Sequence, residues 1–213
     1  MTRDVVVVDY GVGNLRSVAR ALEVVGANAR VSSCPREIAA SDRLVLPGVG
    51  AFRACAEALR AAGLWDPVRE RLGDGRPALG ICVGLQILFE ASHEFGQTEG
   101  LGLLPGAVEH IPVERPDGGQ VRAPFIGWSP IAPGRGGSWD GAILRNLSPG
   151  EELYFVHSYA VRPTDPAIEL AVTDYGAGPV CAAVFKDALC GVQFHPERSG
   201  PAGLRILDAF VSL

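Results

Sequence analysis

The chain carries 213 residues, 47% of them hydrophobic, with 19 basic against 24 acidic side chains and a net charge of -5. That length suits one domain, residues 1–213, with a sizeable buried core. The mild negative charge leaves no electrostatic footprint for nucleic acid and no basic surface for a membrane.

The opening MTRDVVVVDYGVG is too short an apolar run for a signal peptide and lacks a small-residue cleavage site. Nothing downstream approaches a membrane-spanning length, so the expectation is a cytoplasmic protein. DVVVVDY (4–10) reads as a parallel strand buried on both faces. Apolar residues at helical spacing follow over 14–25 (Leu15, Val18, Ala19, Leu22), with Gly26 as the C-cap. A short strand is expected at 29–31, another at 43–46 ending in Pro-Gly, and helices over 51–62 and 65–72. PALGI (77–81) reads as a buried strand and LQILFEA (85–91) as helical. Repeated strand–helix units of this length build a parallel sheet with helices on both faces.

From about residue 106 the pattern changes. VEHIPV, ELYFVHSYAV, AIELAVTDY, VCAAVFKD and LCGVQFH are strand-like and separated by Gly, Pro and Asp turns, as in antiparallel hairpins added to the parallel sheet. GRGGSWDG (134–141) is a loop, and PAGLRILDAFVSL closes the chain as an amphipathic helix. The expected architecture is one mixed α/β domain.

The five cysteines (Cys34, Cys55, Cys82, Cys181, Cys190) are odd in number and form no CxxC pair. This argues against a disulfide framework and a structural zinc site. Cys82 stands apart because Gly80-Ile81-Cys82-Val83-Gly84 spells G-x-C-x-G between a strand and a helix. A nucleophile on a sharp strand-to-helix turn needs small neighbours two residues to either side, where a side chain would meet the crossing backbone. Such a turn would expose the thiol near a helix N-terminus, where dipole and free N–H groups favour thiolate. The N–H of Val83 would be placed to stabilise an oxyanion. The motif is short, and a core cysteine between packing glycines has the same spelling.

A cysteine nucleophile needs a base, and the base an orienting group. His93 and His110 lie in polar or loop-like surroundings, and His93-Glu94 does not extend to H-E-x-x-H. His157 lies within FVHSY. His195 ends the apolar strand GVQF and precedes Pro196-Glu197, so imidazole and carboxylate, two residues apart in extended chain, would share a face. That carboxylate would fix the tautomer and support the imidazolium. Glycines after the first strand also suggest dinucleotide binding, but Arg16 occupies the third glycine position of G-x-G-x-x-G.

LGICVGLQ together with GVQFHPE resembles the class I (triad) glutamine amidotransferases. VDYGVGNLRSV (8–18), LPGVGAF (46–52), GICVGLQILFE (80–90), IGW (126–128), YFVHSY (154–159) and GVQFHPERSG (191–200) narrow the likeness to the imidazole glycerol phosphate synthase glutaminases. The segments occur in that family's order across nearly the whole chain. The resemblance implies a flavodoxin-like mixed sheet, with a parallel core, antiparallel additions and helices on both faces. It implies Cys82 as nucleophile, His195 as base and then acid, and Glu197 as its orienter. The Pro47–Gly50 turn, through Val49 and Gly50, would complete an oxyanion hole with Val83. Gln86 and the backbone of His157, Ser158 and Tyr159, with Gly50, would hold glutamine. Asn14, Arg16, Trp128 and Arg198 would face a partner.

That partner is implied to be a (β/α)₈-barrel cyclase subunit in a heterodimer. It would take ammonia from glutamine to make imidazole glycerol phosphate and aminoimidazole carboxamide ribotide in histidine biosynthesis. No metal or organic cofactor is implied. Where the family commonly has His before and Asn after the I/M-G-W segment, and Lys after HPE, this chain has Phe125, Ser129 and Arg198, at or near the expected interface. Two alternatives stay open at this point: the glutaminase of another synthase, such as pyridoxal phosphate synthase, and a non-catalytic scaffold of the same fold.

Overall fold

The computed structural model describes residues 3–213. In chain order the elements are β1 (Asp4–Val8), α1 (Leu15–Val24), β2 (Asn28–Ser32), α2 (Pro35–Ala40), β3 (Arg43–Gly48), α3 (Phe52–Ala61) and α4 (Trp65–Leu72). These are followed by β4 (Ala78–Cys82), α5 (Val83–Ile87), β5 (Phe89–Ser92), β6 (Thr98–Glu99), β7 (Leu104–His110) and β8 (Phe125–Pro133). The remainder is β9 (Glu152–His157), β10 (Tyr159–Pro163), β11 (Glu169–Asp174), β12 (Pro179–Lys186), β13 (Leu189–Val192) and α6 (Gly200–Val211).

A nine-stranded sheet runs β2-β1-β3-β4-β13-β12-β11-β8-β9. Its pairs from β2 through β13 are parallel, and those from β13 to β9 antiparallel. Val5 to Val8 of β1 are buried, as a parallel strand covered on both faces requires. Helix α1 ends in a Schellman motif: Gly26 N–H bonds Glu23 C=O at 2.9 Å and Ala27 N–H bonds Leu22 C=O at 3.0 Å. Gly26 takes the left-handed conformation this needs, with φ +83°. Packing of α1 against α6 joins the first helix of the chain to the last.

The structure departs from the sequence reading at several places, among them strands β6 and β8, which have no counterpart in it. The stretch 85–91 is not one helix. The carbonyls of Ile87 and Leu88 accept from Leu101 and Leu103 N–H at 2.8 and 2.9 Å, so the helix stops at Ile87. The chain continues as β5, which pairs with β7. The run 152–161 is two strands in two sheets. β9 pairs with β8, whereas β10 pairs with β7 in a second sheet of order β10-β7-β5-β6. The later strands therefore do not all extend the parallel sheet. Strand β7 begins and ends earlier than VEHIPV suggests. Helix α2, started by Pro35 at its first position, has no counterpart in the sequence reading.

Candidate active site

Sheet order places the candidate residues. Strand β4 lies between β3 and β13, with Cys82 opposite Gly48 and Ile81 opposite Val192. The Pro47–Gly50 turn thus flanks Cys82 on one side and the segment leading to His195 on the other. Cys82 has φ 55° and ψ -113°, a conformation that non-glycine residues adopt only when their surroundings enforce it. A Cβ on Gly84 would collide with the Leu46 carbonyl, and one on Gly80 would lie 2.7 Å from the Gly84 carbonyl oxygen. Both glycines are sterically required by the elbow. Val83 opens α5, where its N–H has no intrahelical acceptor.

His195 Nδ1 donates to Glu197 Oε1 at 2.9 Å, with both side chains buried. The imidazole's other nitrogen, Nε2, is buried without a hydrogen-bond partner, as is Glu197 Oε2. Burial works against the imidazolium. The adjacent Cys82 and Glu197 outweigh it and raise the His195 pKa to about 10. The backbone of His195 is fixed from both sides: its N–H bonds Tyr154 C=O at 2.9 Å, and its C=O accepts from Ser199 Oγ at 2.7 Å.

A cavity of about 290 Å³ is lined by Val49, Gly50, Cys82, Val83, Gln86, Glu94, His157, Ser158, Tyr159 and His195, with Pro124 and Val156. All the residues expected to hold or attack substrate meet there except Glu197, which stands behind His195. Cys82 is not exposed as its turn suggests. Only 5% of it is accessible, so the thiol is reached through the cavity. A cavity of about 670 Å³ between β10 and β12 contains none of these residues.

Gln86 is buried, and its Nε2 donates to Tyr159 C=O at 2.8 Å and to Gln193 Oε1 at 3.0 Å. The carbonyls of Ser158 and Tyr159 are already engaged, the first by Ile111 N–H and the second by Gln86 and His157. His157 presents a buried side chain as well as backbone. Its Nδ1–H donates to Tyr159 C=O at 2.9 Å, which leaves Nε2 to accept from Tyr175 O–H at 2.7 Å. Burial lowers its pKa to about 4, the Tyr159 bond opposing and the His195 charge adding to the shift, so this imidazole stays neutral.

Four residues of the site escaped the sequence reading. Gln193 Nε2 donates to Cys82 Sγ at 3.6 Å. The period-two alternation that puts Glu197 beside His195 also puts Gln193 on the side of His195 and was the available signal. Glu94 Oε2 accepts from Phe52 N–H at 2.7 Å at the cavity edge. Tyr10 and Cys55 reach the Pro47–Gly50 turn from below, and nothing local in the sequence marks them.

The remaining candidates lie outside the cavity. Asn14 and Arg16 are exposed at the start of α1, which packs on the Pro196–Arg198 turn. Arg198 sits over the Tyr154 ring at 4.3 Å, and Trp128, half exposed, meets the same ring edge-on at 6.0 Å. Ser129, expected at or near the interface, is instead buried and bonded to Thr173 Oγ1 at 2.8 Å. Phe125 turns inward to stack on Tyr175, with ring centroids 3.7 Å apart.

Comparison with known proteins bears on this geometry. Residues 6–212 match the family described as glutamine amidotransferase class-I. The chain is 47% identical to the imidazole glycerol phosphate synthase subunit HisH of Syntrophotalea carbinolica, over 97% of this chain and 98% of that one. It is 45% identical to the HisH subunit of Salinibacter ruber, over 97% and 93% of the two chains. With that of Synechococcus elongatus it shares 44% identity, over 99% and 94%. Among solved structures, a glutamine amidotransferase superposes with a TM-score of 0.71 at 20% identity, covering 98% of this chain and 99% of that one. PurLQS of Thermotoga maritima gives 0.71 at 19% identity, covering 100% and 99%.

Proposed function

This chain belongs to the class I glutamine amidotransferases and, within them, to the HisH glutaminase subunits of imidazole glycerol phosphate synthase; from that premise we propose that Cys82, His195 and Glu197 carry its chemistry. The protein works with a cyclase subunit.

Glutamine enters the cavity with its side-chain amide toward Cys82. The raised pKa of His195 keeps the proton shared with Cys82 on His195 Nε2, since Nδ1 is committed to Glu197, and the sulfur attacks the amide carbon as a thiolate. The carbonyl oxygen becomes an oxyanion between the Val83 N–H and those of the Pro47–Gly50 turn. His195 then returns the proton to the departing nitrogen, ammonia leaves, and a glutamyl thioester remains on Cys82. Water attacks that thioester, giving its proton to His195 and releasing glutamate and the thiol.

The observation that carries this reading is one buried line of groups, Glu197, His195 and Cys82, opening onto a cavity sized for a single small amino acid. The cavity offers no room for extended peptide, which disfavours a peptidase. Ammonia passes to a (β/α)₈-barrel cyclase docked as a heterodimer on the face that carries Asn14, Arg16, Trp128 and Arg198. There it is built into imidazole glycerol phosphate.

The test is glutamine turnover by the chain with and without its cyclase subunit. Turnover should rise in the complex. Cys82→Ala should abolish glutamine-dependent synthesis while added ammonia still supports it. Glutamine turnover that survives Cys82→Ala would overturn the assignment.

A further inference from the structure

Two buried side chains outside the triad hold the turn that faces Cys82. Tyr10, which follows β1, donates its hydroxyl to Pro47 C=O at 2.7 Å. Cys55, on the first turn of α3, donates its thiol to Val49 C=O at 3.2 Å. Tyr10 is 5% accessible and Cys55 wholly buried. Burial raises the pKa of both groups, so each keeps the proton it donates. A third tie comes from Glu94, whose carboxylate accepts from Phe52 N–H where the turn enters α3.

A trans peptide carries its C=O and N–H on opposite sides. Once the Val49 carbonyl is drawn to Cys55, the Gly50 N–H of the same peptide faces away from α3. Val49 and Gly50 line the cavity with Cys82, and the Gly50 N–H donates to no protein group among the described residues. A turn rich in glycine has several accessible orientations, and side-chain bonds to two of its carbonyls select one.

We propose that Tyr10 and Cys55 are positioning residues that clamp the Pro47–Gly50 turn, keeping its N–H groups aimed at the oxyanion formed during attack by Cys82. This rests on the glutaminase reading above and adds to it the means by which the oxyanion hole is set. Neither residue touches substrate. Their effect passes entirely through the peptide orientation of the turn.

The experiment compares wild type, Cys55→Ala, Cys55→Ser and Tyr10→Phe, each as full chain with its cyclase subunit. Two readouts are taken: steady-state glutamine hydrolysis, and the rate at which iodoacetamide alkylates Cys82, followed by mass spectrometry of the Cys82 peptide. Alkylation forms no oxyanion. Cys55→Ala and Tyr10→Phe should lower kcat about 10- to 100-fold. KM should stay within about twofold and Cys82 alkylation should be unchanged. Cys55→Ser, which keeps a hydrogen-bond donor, should recover most of the loss. The proposal falls if kcat is unchanged in both variants, if kcat and alkylation decline together, or if serine fares no better than alanine. Should Cys55→Ala fail to fold by circular dichroism, Tyr10→Phe and Cys55→Ser carry the same criteria. A wild-type complex without Cys82-dependent turnover would remove the glutaminase reading and the clamp with it. Turnover in wild type with indifferent variants removes the clamp alone.

Discussion

Gln193 Nε2 donates to Cys82 Sγ at 3.6 Å while Gln193 Oε1 accepts from Gln86 at 3.0 Å, so one amide links the sulfur to the floor of the cavity. Hydrogen bonds to charged or reacting groups are worth about 1.5–3 kcal/mol. Gln193→Leu keeps much of the volume and removes both bonds. It should lower kcat by about 10- to 100-fold and also slow alkylation of Cys82, the second effect separating it from a defect in the oxyanion turn. Stopped-flow alkylation beside steady-state kinetics checks this.

Glu197→Gln tests the orienter. The amide fills the same space but withdraws the charge that helps hold the His195 pKa near 10 against burial. The expected result is a loss in kcat of about 100-fold or more, with little change in KM. The sign for stability follows from the raised pKa. In wild type the His195 contribution is fully present below the ordinary histidine value of 6.5 and fades as pH rises toward 10. Glu197→Gln should therefore destabilise the fold more at pH 6 than at pH 10, as urea denaturation at the two pH values would show.

His157 has the opposite sign. Its folded pKa is lowered to about 4 from 6.5, so between these values the unfolded chain takes a proton that the folded chain refuses. Stability should fall by about 3 kcal/mol as pH drops through this window. His157→Gln, which retains a donor for the Tyr159 carbonyl, should flatten that slope. The midpoint of urea unfolding at pH 7 and pH 4.5 provides the measurement.

Gly84→Ala should be among the most damaging single-methyl changes in the molecule. Its Cβ meets the carbonyl of Leu46 in β3, and neither backbone segment can retreat without opening the sheet. A loss on the order of 3 kcal/mol is expected, visible as a lowered Tm together with loss of activity.

Trp128→Ala and Arg198→Ala address docking. Both side chains rest on the Tyr154 ring at the surface, an aromatic and arginine grouping of the kind that dominates binding energy. Each should weaken association with the cyclase by about tenfold or more. Titration of one subunit into the other by calorimetry reads this directly.

Much of the parallel half was legible because its signals are local. Four consecutive valines are a buried strand whatever pairs with them, and G-x-C-x-G carries its own steric logic. The second half was less legible because its elements are decided by distant partners. LQILFEA satisfies helix and strand alike until the loop at 101–104 takes the carbonyls of Ile87 and Leu88. ELYFVHSYAV reads as one strand until Ile111 takes the Ser158 carbonyl, at the point where the chain leaves one sheet for another. Within the site, Cys82, His195 and Glu197 could be read from short motifs. Tyr10 and Cys55 could not, since their importance lies in which carbonyl each happens to reach.

The adjacency of β4 and β13 has a consequence for how the enzyme comes into being. Gln193 and Cys82, neighbours in space, stand 111 residues apart in the chain. The amide beside the sulfur follows the elbow by that span, and the base His195 comes two residues later still. A chain cut before Gln193 would lack His195 and Glu197 beside Cys82 and should not turn over glutamine. Because β13 lies between β4 and β12 and leads to Gln193 and His195, glutamine turnover by the proposed mechanism would require that strand to be in place, and so should report its insertion.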